Sequence, residues 1–362
     1  MKSILIYSEI SWNFLDQRHH HLARYATLNG YRVEFIQRVV SRTPSLKELL
    51  NLLKQRYIIK SNKVIEKEVP YGIHVRNSWF LPPSSFLPNV YNWILWFLFE
   101  RPRQTNAIIY SFVNNPQILG GRYPFLAKHS KSVFDVIHNW WEFPWYNKSQ
   151  KHKIDTNLKL FDKVITDSPI IAARLGESGI LNHLMMPGLT QDWLNISSSN
   201  SNIRPVFFGN LRSNSDLELI DKMALKFGLD LMGLIDKSAA HATRNARYIG
   251  AFSVFDLVEK ISEYNTILLP YDNGEFSKTI APAKYFEALA TGALIVTRAD
   301  MKHLPGFEEY IVKLNDLSEA SLEGLQDALV KQQNNRESQI EFAKQHLWEK
   351  RFINLFAFLE IN

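Results

Sequence analysis

The sequence predicts an α/β protein built from two doubly wound parallel-sheet units, and three observations carry that expectation. The first is length: 362 residues are enough for two domains of about 150 residues each. The second is an alternation of short apolar runs with amphipathic stretches that begins at once, stops near residue 194 and restarts at 205. The third is the Ser/Asn-rich segment NISSSNSNIR over 195–204, which has little to bury and reads as a linker between the two series.

The first series opens with an apolar strand over 3–8, a polar and aromatic loop over 9–16, a helix over 17–28 that Asn29-Gly30 ends, and a strand over 31–37. Strand, helix and strand in that order imply parallel pairing. The turn between them lacks the G-x-G-x-x-G pattern of a dinucleotide-binding unit, which argues against a nicotinamide enzyme. Further strands are expected over 107–112, 132–137 and 163–166, each followed by polar residues where open α/β sheets hold ligands. The second series gives strands over 205–209, 229–233, 247–250, 265–270 and 294–297, with helices over 216–227, 254–262, 281–290 and 318–333. A last helix over 338–359 has no strand after it and is expected to pack back on the first domain. The expected organisation is therefore a first domain over 1–194 joined by the C-terminal helix 345–362, a linker over 195–204 and a second domain over 205–344.

Composition narrows the function. A hydrophobic fraction of 46% supplies two cores and excludes disorder. The absence of cysteine excludes a disulfide framework, a thiolate zinc site and a cysteine nucleophile. The longest apolar run, 90–99, is half of the ~20 residues that cross a bilayer, and the N-terminus has no signal-peptide pattern. A cytoplasmic protein, peripheral on the inner face of the plasma membrane, is expected. The net charge of +6 is concentrated: residues 38–68 hold eight basic residues, among them Arg38 and Arg42, against three acidic ones, a net +5. With Trp12, Trp93 and Trp96 these make a candidate patch for an anionic surface, lipid headgroups above all; a solvated helix face is the plain alternative. Trp140, Trp141 and Trp145 form a second aromatic cluster. No nucleic-acid partner is expected, because there is no recognition motif and the aromatics do not interleave with the basic stretch.

The chemistry concentrates in LLPYDNGEFSKTIAPAKYFEALATGALIVT over 268–297. Tyr271 opens a polar loop that ends in Thr279, Ile280, Ala281 and Pro282. A proline in the first helical turn costs no hydrogen bond, and the remaining free amides with the helix dipole attract an anion. Lys284 adds a full charge in the same turn. Glu287, about one turn on, can accept both hydroxyls of a ribose. Together they describe a site for a nucleotide diphosphate. In VFFGNLR over 206–212, Gly209 and Asn210 make the turn after a strand; Arg212 is either a fork for the diphosphate or a surface cation.

A general base is expected at a strand end of the first domain. In VFDVIHNWWEFP over 133–144, His138 stands at the strand end and titrates near neutrality. Asp135 lies inside the strand, as a base or a structural acceptor, and Glu142 and Asp16 compete. The run His19-His20-His21 cannot ligate one ion, since adjacent helix residues point apart, so no metal site is expected.

The 268–297 segment resembles the donor-site signature of the GT-B glycosyltransferases, in particular the bacterial polysaccharide enzymes of the family-4 type and the teichuronic-acid and xanthan glucuronosyltransferase types. VFFGNLR, RYIGAFSVFDL over 247–257, LFDKVITDSP over 160–169 with MPG over 186–188, and the loop from Trp12 to Arg24 are similar to that family's segments, in its order. The resemblance implies two Rossmann-like domains facing a cleft. It implies a sugar moved from a nucleotide-diphosphate sugar, as co-substrate, to a lipid-linked or oligosaccharide acceptor such as a surface polysaccharide, with no cofactor and no metal. The donor would lie on Gly209, Asn210, Arg212, Tyr271, Thr279, Ile280, Ala281, Pro282, Lys284 and Glu287. One departure matters: the family-4 enzymes carry E-x7-E, and with Glu287 second, the first place here is Thr279. A non-catalytic nucleotide- or sugar-binding protein of the same fold is the alternative.

Overall fold

The computed structural model describes residues 2–14, 16–39, 67–78, 94, 98, 107–112, 131–137, 139–142, 148–195, 203–211, 215–236, 239, 243–252 and 254–360. The chain divides into two compact units: Met1–Asp167, Ala172–Leu184 and Leu355–Asn362 form one, and Ser168–Ile171 with Met185–Asn354 the other. The division thus falls between Leu184 and Met185, ahead of the expected linker. The last unit-one segment begins at Leu355, ten residues after the expected 345.

The first unit is a seven-stranded parallel sheet in the order β3-β2-β1-β4-β5-β6-β7. Its strands are β1 Ser3–Tyr7, β2 Arg32–Gln37, β3 Ile73–Asn77, β4 Ala107–Ser111, β5 Lys131–Val136, β6 Lys163–Thr166 and β7 Asn182–Leu184, with helices α1 Arg18–Leu28, α2 Lys148–Leu158 and, from Ala172 on, α3 Pro169–Glu177 among the described residues. Central strands are buried, β1 along its length and β5 beyond Lys131, because a parallel sheet is covered on both faces. The edge strands β3 and β7 are half-exposed and polar, and the apolar pattern did not anticipate them. The C-terminal residues of the chain pack here: Phe356 meets Tyr25 and Tyr31 edge-on, and Lys131 and Lys163 hold Glu360.

Beneath α1 lies a buried ion pair. Arg18 Nε stands 2.8 Å from Asp135 Oδ2, with side chains 6% and 0% exposed, and the Tyr110 hydroxyl donates to the same oxygen at 2.7 Å. The pair ties the start of α1 to β4 and β5. Burial raises the Asp135 carboxyl against the pull of Arg18.

The second unit is a six-stranded parallel sheet in the order β10-β9-β8-β11-β12-β13. The strands are β8 Pro205–Phe208, β9 Asp230–Met232, β10 Arg247–Gly250, β11 Thr266–Leu268, β12 Leu294–Thr297 and β13 Ile311–Lys313. The helices are α4 Leu217–Phe227, α5 Val254–Ile261, α6 Glu275–Thr279, α7 Ala283–Thr291, α8 Phe307–Tyr310, α9 Glu319–Ala343 and α10 Trp348–Phe358, the last ending in the first unit. Alternation along the strands splits the core into two layers. Val206, Phe208, Ile267 and Ile295 pack with Tyr285, Phe286 and Leu289 of α7. Phe207, Leu231, Leu268 and Val296 pack with Leu219, Ile220 and Met223 of α4. Asp216 caps α4 by accepting from Leu219 N at 3.0 Å.

The two helices expected over 318–333 and 338–359 divide elsewhere: α9 runs unbroken to Ala343, and the break falls at Leu347, whose backbone is extended. The cause is pairing with Leu189, whose N–H donates to His346 O and whose carbonyl accepts from Trp348 N, both at 3.1 Å.

Removing one partner of the Arg18–Asp135 pair leaves the other charge buried, which costs about 3–5 kcal/mol. Asp135→Ala should lower the urea-unfolding free energy of the first unit by about that much, and Arg18→Met combined with Asp135→Leu should recover most of the loss.

Candidate functional site

In a doubly wound sheet, ligands bind at the carboxyl ends of strands where the strand order reverses. In the second unit that point lies between β8 and β11. The chain leaves β8 through Gly209, which has φ 115° and whose N–H donates to Met232 O at 2.7 Å. Gly233, with φ 127°, follows β9 and donates to Gly250 O at 2.7 Å. A side chain on Gly233 would strike the Gly209 carbonyl, and one on Gly209 would strike the Lys284 side chain, whose Nζ stands 2.6 Å from the place of that Cβ. The two glycines therefore bring Lys284 flat against the backbone at the end of β8.

Lys284 sits in the first turn of α7. Pro282 is the N-cap rather than a residue inside the first turn, and it provides no side-chain cap, so the positive end of the helix dipole keeps its attraction for an anion. The approach to the helix is clamped. His303 Nε2 lies 2.9 Å from Ile280 O, the Tyr285 hydroxyl donates to Pro305 O, and the Ser168 hydroxyl donates to Thr279 O. The Thr279 hydroxyl itself turns inward, donating to Phe276 O at 2.9 Å and Glu275 O at 3.1 Å. Ala281 is buried and Asn210 is exposed. Glu287, half-buried and one turn beyond Lys284, has its pKa raised by burial, against the pull of the Lys284 charge. Tyr271 has its own pKa raised by burial and then by the charge of Glu287.

In the first unit the order reverses between β1 and β4. There the Ser8 hydroxyl lies 2.7 Å from His19 Nδ1, and the His19 ring stacks on Phe112 with centroids 3.6 Å apart.

By sequence the chain matches no family model and no curated protein. By structure it is similar over nearly its whole length to several solved proteins. A glycosyltransferase from Rickettsia africae ESF-5 gives a TM-score of 0.65 at 12% identity, covering 99% of this chain and 98% of that one. WaaG, a glycosyltransferase involved in lipopolysaccharide biosynthesis, gives 0.63 at 12%, covering 99% of each. The trehalose-6-phosphate protein from E. coli bound with UDP-2-fluoro glucose gives 0.60 at 11%, covering 98% of each. The fold is GT-B. At these identities the likeness is one of fold.

Within the GT-B units, the expected site residues separate into four groups. Gly209 and Lys284 meet at the end of β8, Glu287 feels the Lys284 charge and Tyr271 that of Glu287, and Thr279, Ile280, Ala281 and Pro282 lead into α7. Three expectations in the first unit are corrected. Trp12 is 2% exposed, wedged against His20 and Phe35, with Arg24 over its ring, so it offers no surface to a membrane. Asp135 is 1% exposed and committed to Arg18 and Tyr110, which makes it the structural acceptor rather than a base. Asp16 is bound by both terminal nitrogens of Arg24 and by Lys67, and those cations outweigh its partial burial and lower its pKa to about 2, too acidic to take a hydroxyl proton. Glu142 is exposed, in the turn Trp140–Glu142, and Arg38 is exposed after β2. His138, Arg212, Arg42, Trp93 and Trp96 lie outside the described residues.

Sequence reasoning missed Gly233 and His303. Gly233 was readable as the end of an expected strand, but its collision with Gly209 appears only when the two strands pair. His303 carried no local signal, being 23 residues from the carbonyl it meets.

Gly209→Ala should push Lys284 aside and raise its labelling by an amine-reactive reagent, read by mass spectrometry. Gly228→Ala is the control: its φ of 73° is equally foreign to alanine, but no atom stands within 4 Å. It should cost about 1 kcal/mol of stability and leave the labelling of Lys284 unchanged.

Proposed function

We propose that the chain is a metal-independent glycosyltransferase that moves a sugar from a nucleotide-diphosphate sugar to a lipid-linked or surface-polysaccharide hydroxyl. The observation that carries this reading is the seating of Lys284 against Gly209 at the β8/β11 reversal, with Glu287 one turn along the same helix. The diphosphate takes its countercharge from Lys284 and the uncapped start of α7, a role that a divalent cation would otherwise fill. Glu287 accepts the ribose hydroxyls, and Tyr271 beside it closes the nucleoside end.

The acceptor binds the first unit at the carboxyl edge of its sheet. With Asp135 and Asp16 committed to ion pairs, His138 is the base assigned to the acceptor hydroxyl, with Glu142 as its rival. As the nucleotide diphosphate departs, its growing charge meets Lys284 and the α7 amides, which favours bond cleavage. A lipid-linked acceptor brings the enzyme to an anionic leaflet, where the basic stretch containing Arg38 and Arg42 docks it peripherally. No helix among the described residues is long and apolar enough to cross a membrane.

Calorimetry with UDP tests the assignment. Glu287→Ala should weaken binding at least tenfold, and unchanged affinity would refute the donor site. The pH dependence has a defined sign. Burial raises the Glu287 pKa above the ordinary 4.5, so the carboxylate is protonated at a higher pH than an exposed glutamate. Relative to Glu287→Gln, the wild type should therefore lose UDP affinity as pH falls through that raised value, and hold it above.

A further inference from the structure

The first unit carries a cavity that the transfer reading does not use. It has a volume of about 310 Å³ and lies between α2 and α3, lined by Trp141, His152, Asp155, Lys159, Arg174 and Leu175, with Ile180 beneath. This is the lower end of the range for small-molecule sites, about 300–1,000 Å³. Its walls are α2, α3 and Trp141, which lies in the turn that follows β5.

The lining is held in place before any ligand arrives. Trp141 Nε1 donates to Asp155 Oδ1 at 2.9 Å, and the Arg174 guanidinium lies 3.9 Å from the centroid of the Trp141 ring. The Trp141 carbonyl accepts from Lys151 Nζ. Asp155 is the one carboxylate in the lining, and the indole N–H occupies part of its acceptor capacity. Lys159 and Arg174 remain as cations, with His152 beside them. The floor is apolar: Leu175 and Ile180 are 1% and 8% exposed.

An apolar floor, a fixed indole and two cations at the rim are complementary to one ligand chemistry. The C–H faces of a sugar ring pack on apolar and aromatic surface, while a carboxylate on the ring pairs with guanidinium and ammonium. A bare inorganic anion needs no such floor, and a neutral sugar needs no such rim. We infer that this cavity is an accessory binding site for an acidic saccharide, which holds a carboxylated segment of glycan on the first unit. The inference stands apart from the donor site and does not require that transfer occur.

The test is calorimetric titration of the full chain with hexameric oligogalacturonate, maltohexaose and inorganic phosphate. Oligogalacturonate should bind, maltohexaose should bind at least tenfold more weakly, and raising the salt should weaken the acidic ligand alone. Arg174→Gln and Lys159→Gln, both at exposed positions, should each weaken oligogalacturonate at least threefold and together at least tenfold, with unchanged thermal unfolding. Trp141→Phe, which keeps a ring but removes the donor to Asp155, gives a second readout at the same site and should also weaken it. No binding of oligogalacturonate, equal binding by the double variant, equal binding of maltohexaose, or phosphate binding as tight as the saccharide would each overturn the inference. UDP titrated separately reports on the donor site alone, so a failure there leaves this result standing.

Discussion

The contact between the Gly209 backbone and the Lys284 side chain governs the second unit. Lys284 can rest there only because residue 209 has no Cβ, and Gly209 can take its path only because Gly233, one strand over, has none either. Two turns are thereby coupled to the start of α7, and the helix is anchored from its other side by His303 and Tyr285. The consequence is electrostatic: a full positive charge and uncapped helix amides share one small region at the point where a parallel sheet opens to ligands. The surrounding core, with Tyr285 and Phe286 buried under β8 and β12, keeps that helix end from shifting.

In the first unit the organising feature is a buried charge rather than a close approach. Arg18, Asp135 and Tyr110 settle the start of α1 over β4 and β5. Once Asp135 is spent in this way, it is withdrawn from chemistry. Asp16 is withdrawn by a different route, since two surface cations stabilise its charged form. Both carboxylates stood in the sequence as candidate bases, and in both cases a partner distant in sequence decided the matter.

Much of the fold was legible because buried parallel strands are short apolar runs. β1, β5, β8 and β12 are of this kind, and their alternation with helices implied the two sheets. The strands that were not anticipated, β3, β7 and β13, lie at sheet edges where one side meets solvent and the apolar run dissolves. α2 escaped for the same reason: its sequence, KSQKHKIDTNL, has no apolar stripe for a periodicity to register. The grouping at the start of α7 was legible because Thr279 to Glu287 lie within one short segment, so spacing along the chain stands in for spacing in space. His303, Gly233 and the Trp141–Arg174 stack join residues far apart in sequence, and no local pattern could disclose them.

The opposite fates of the two tryptophans mark the division most clearly. In the sequence Trp12 and Trp141 each read as part of an aromatic cluster. Folding puts the first in the core against Phe35 and leaves the second at the wall of a cavity under a guanidinium. The sequence alone determined the class of fold, the two-unit plan and the helix that gathers Lys284 and Glu287, because these follow from local periodicity and composition. Tertiary structure alone decided which carboxylates are spent in ion pairs, which aromatics meet solvent and which glycines must remain glycine, because each depends on a partner that only strand pairing and helix packing bring near.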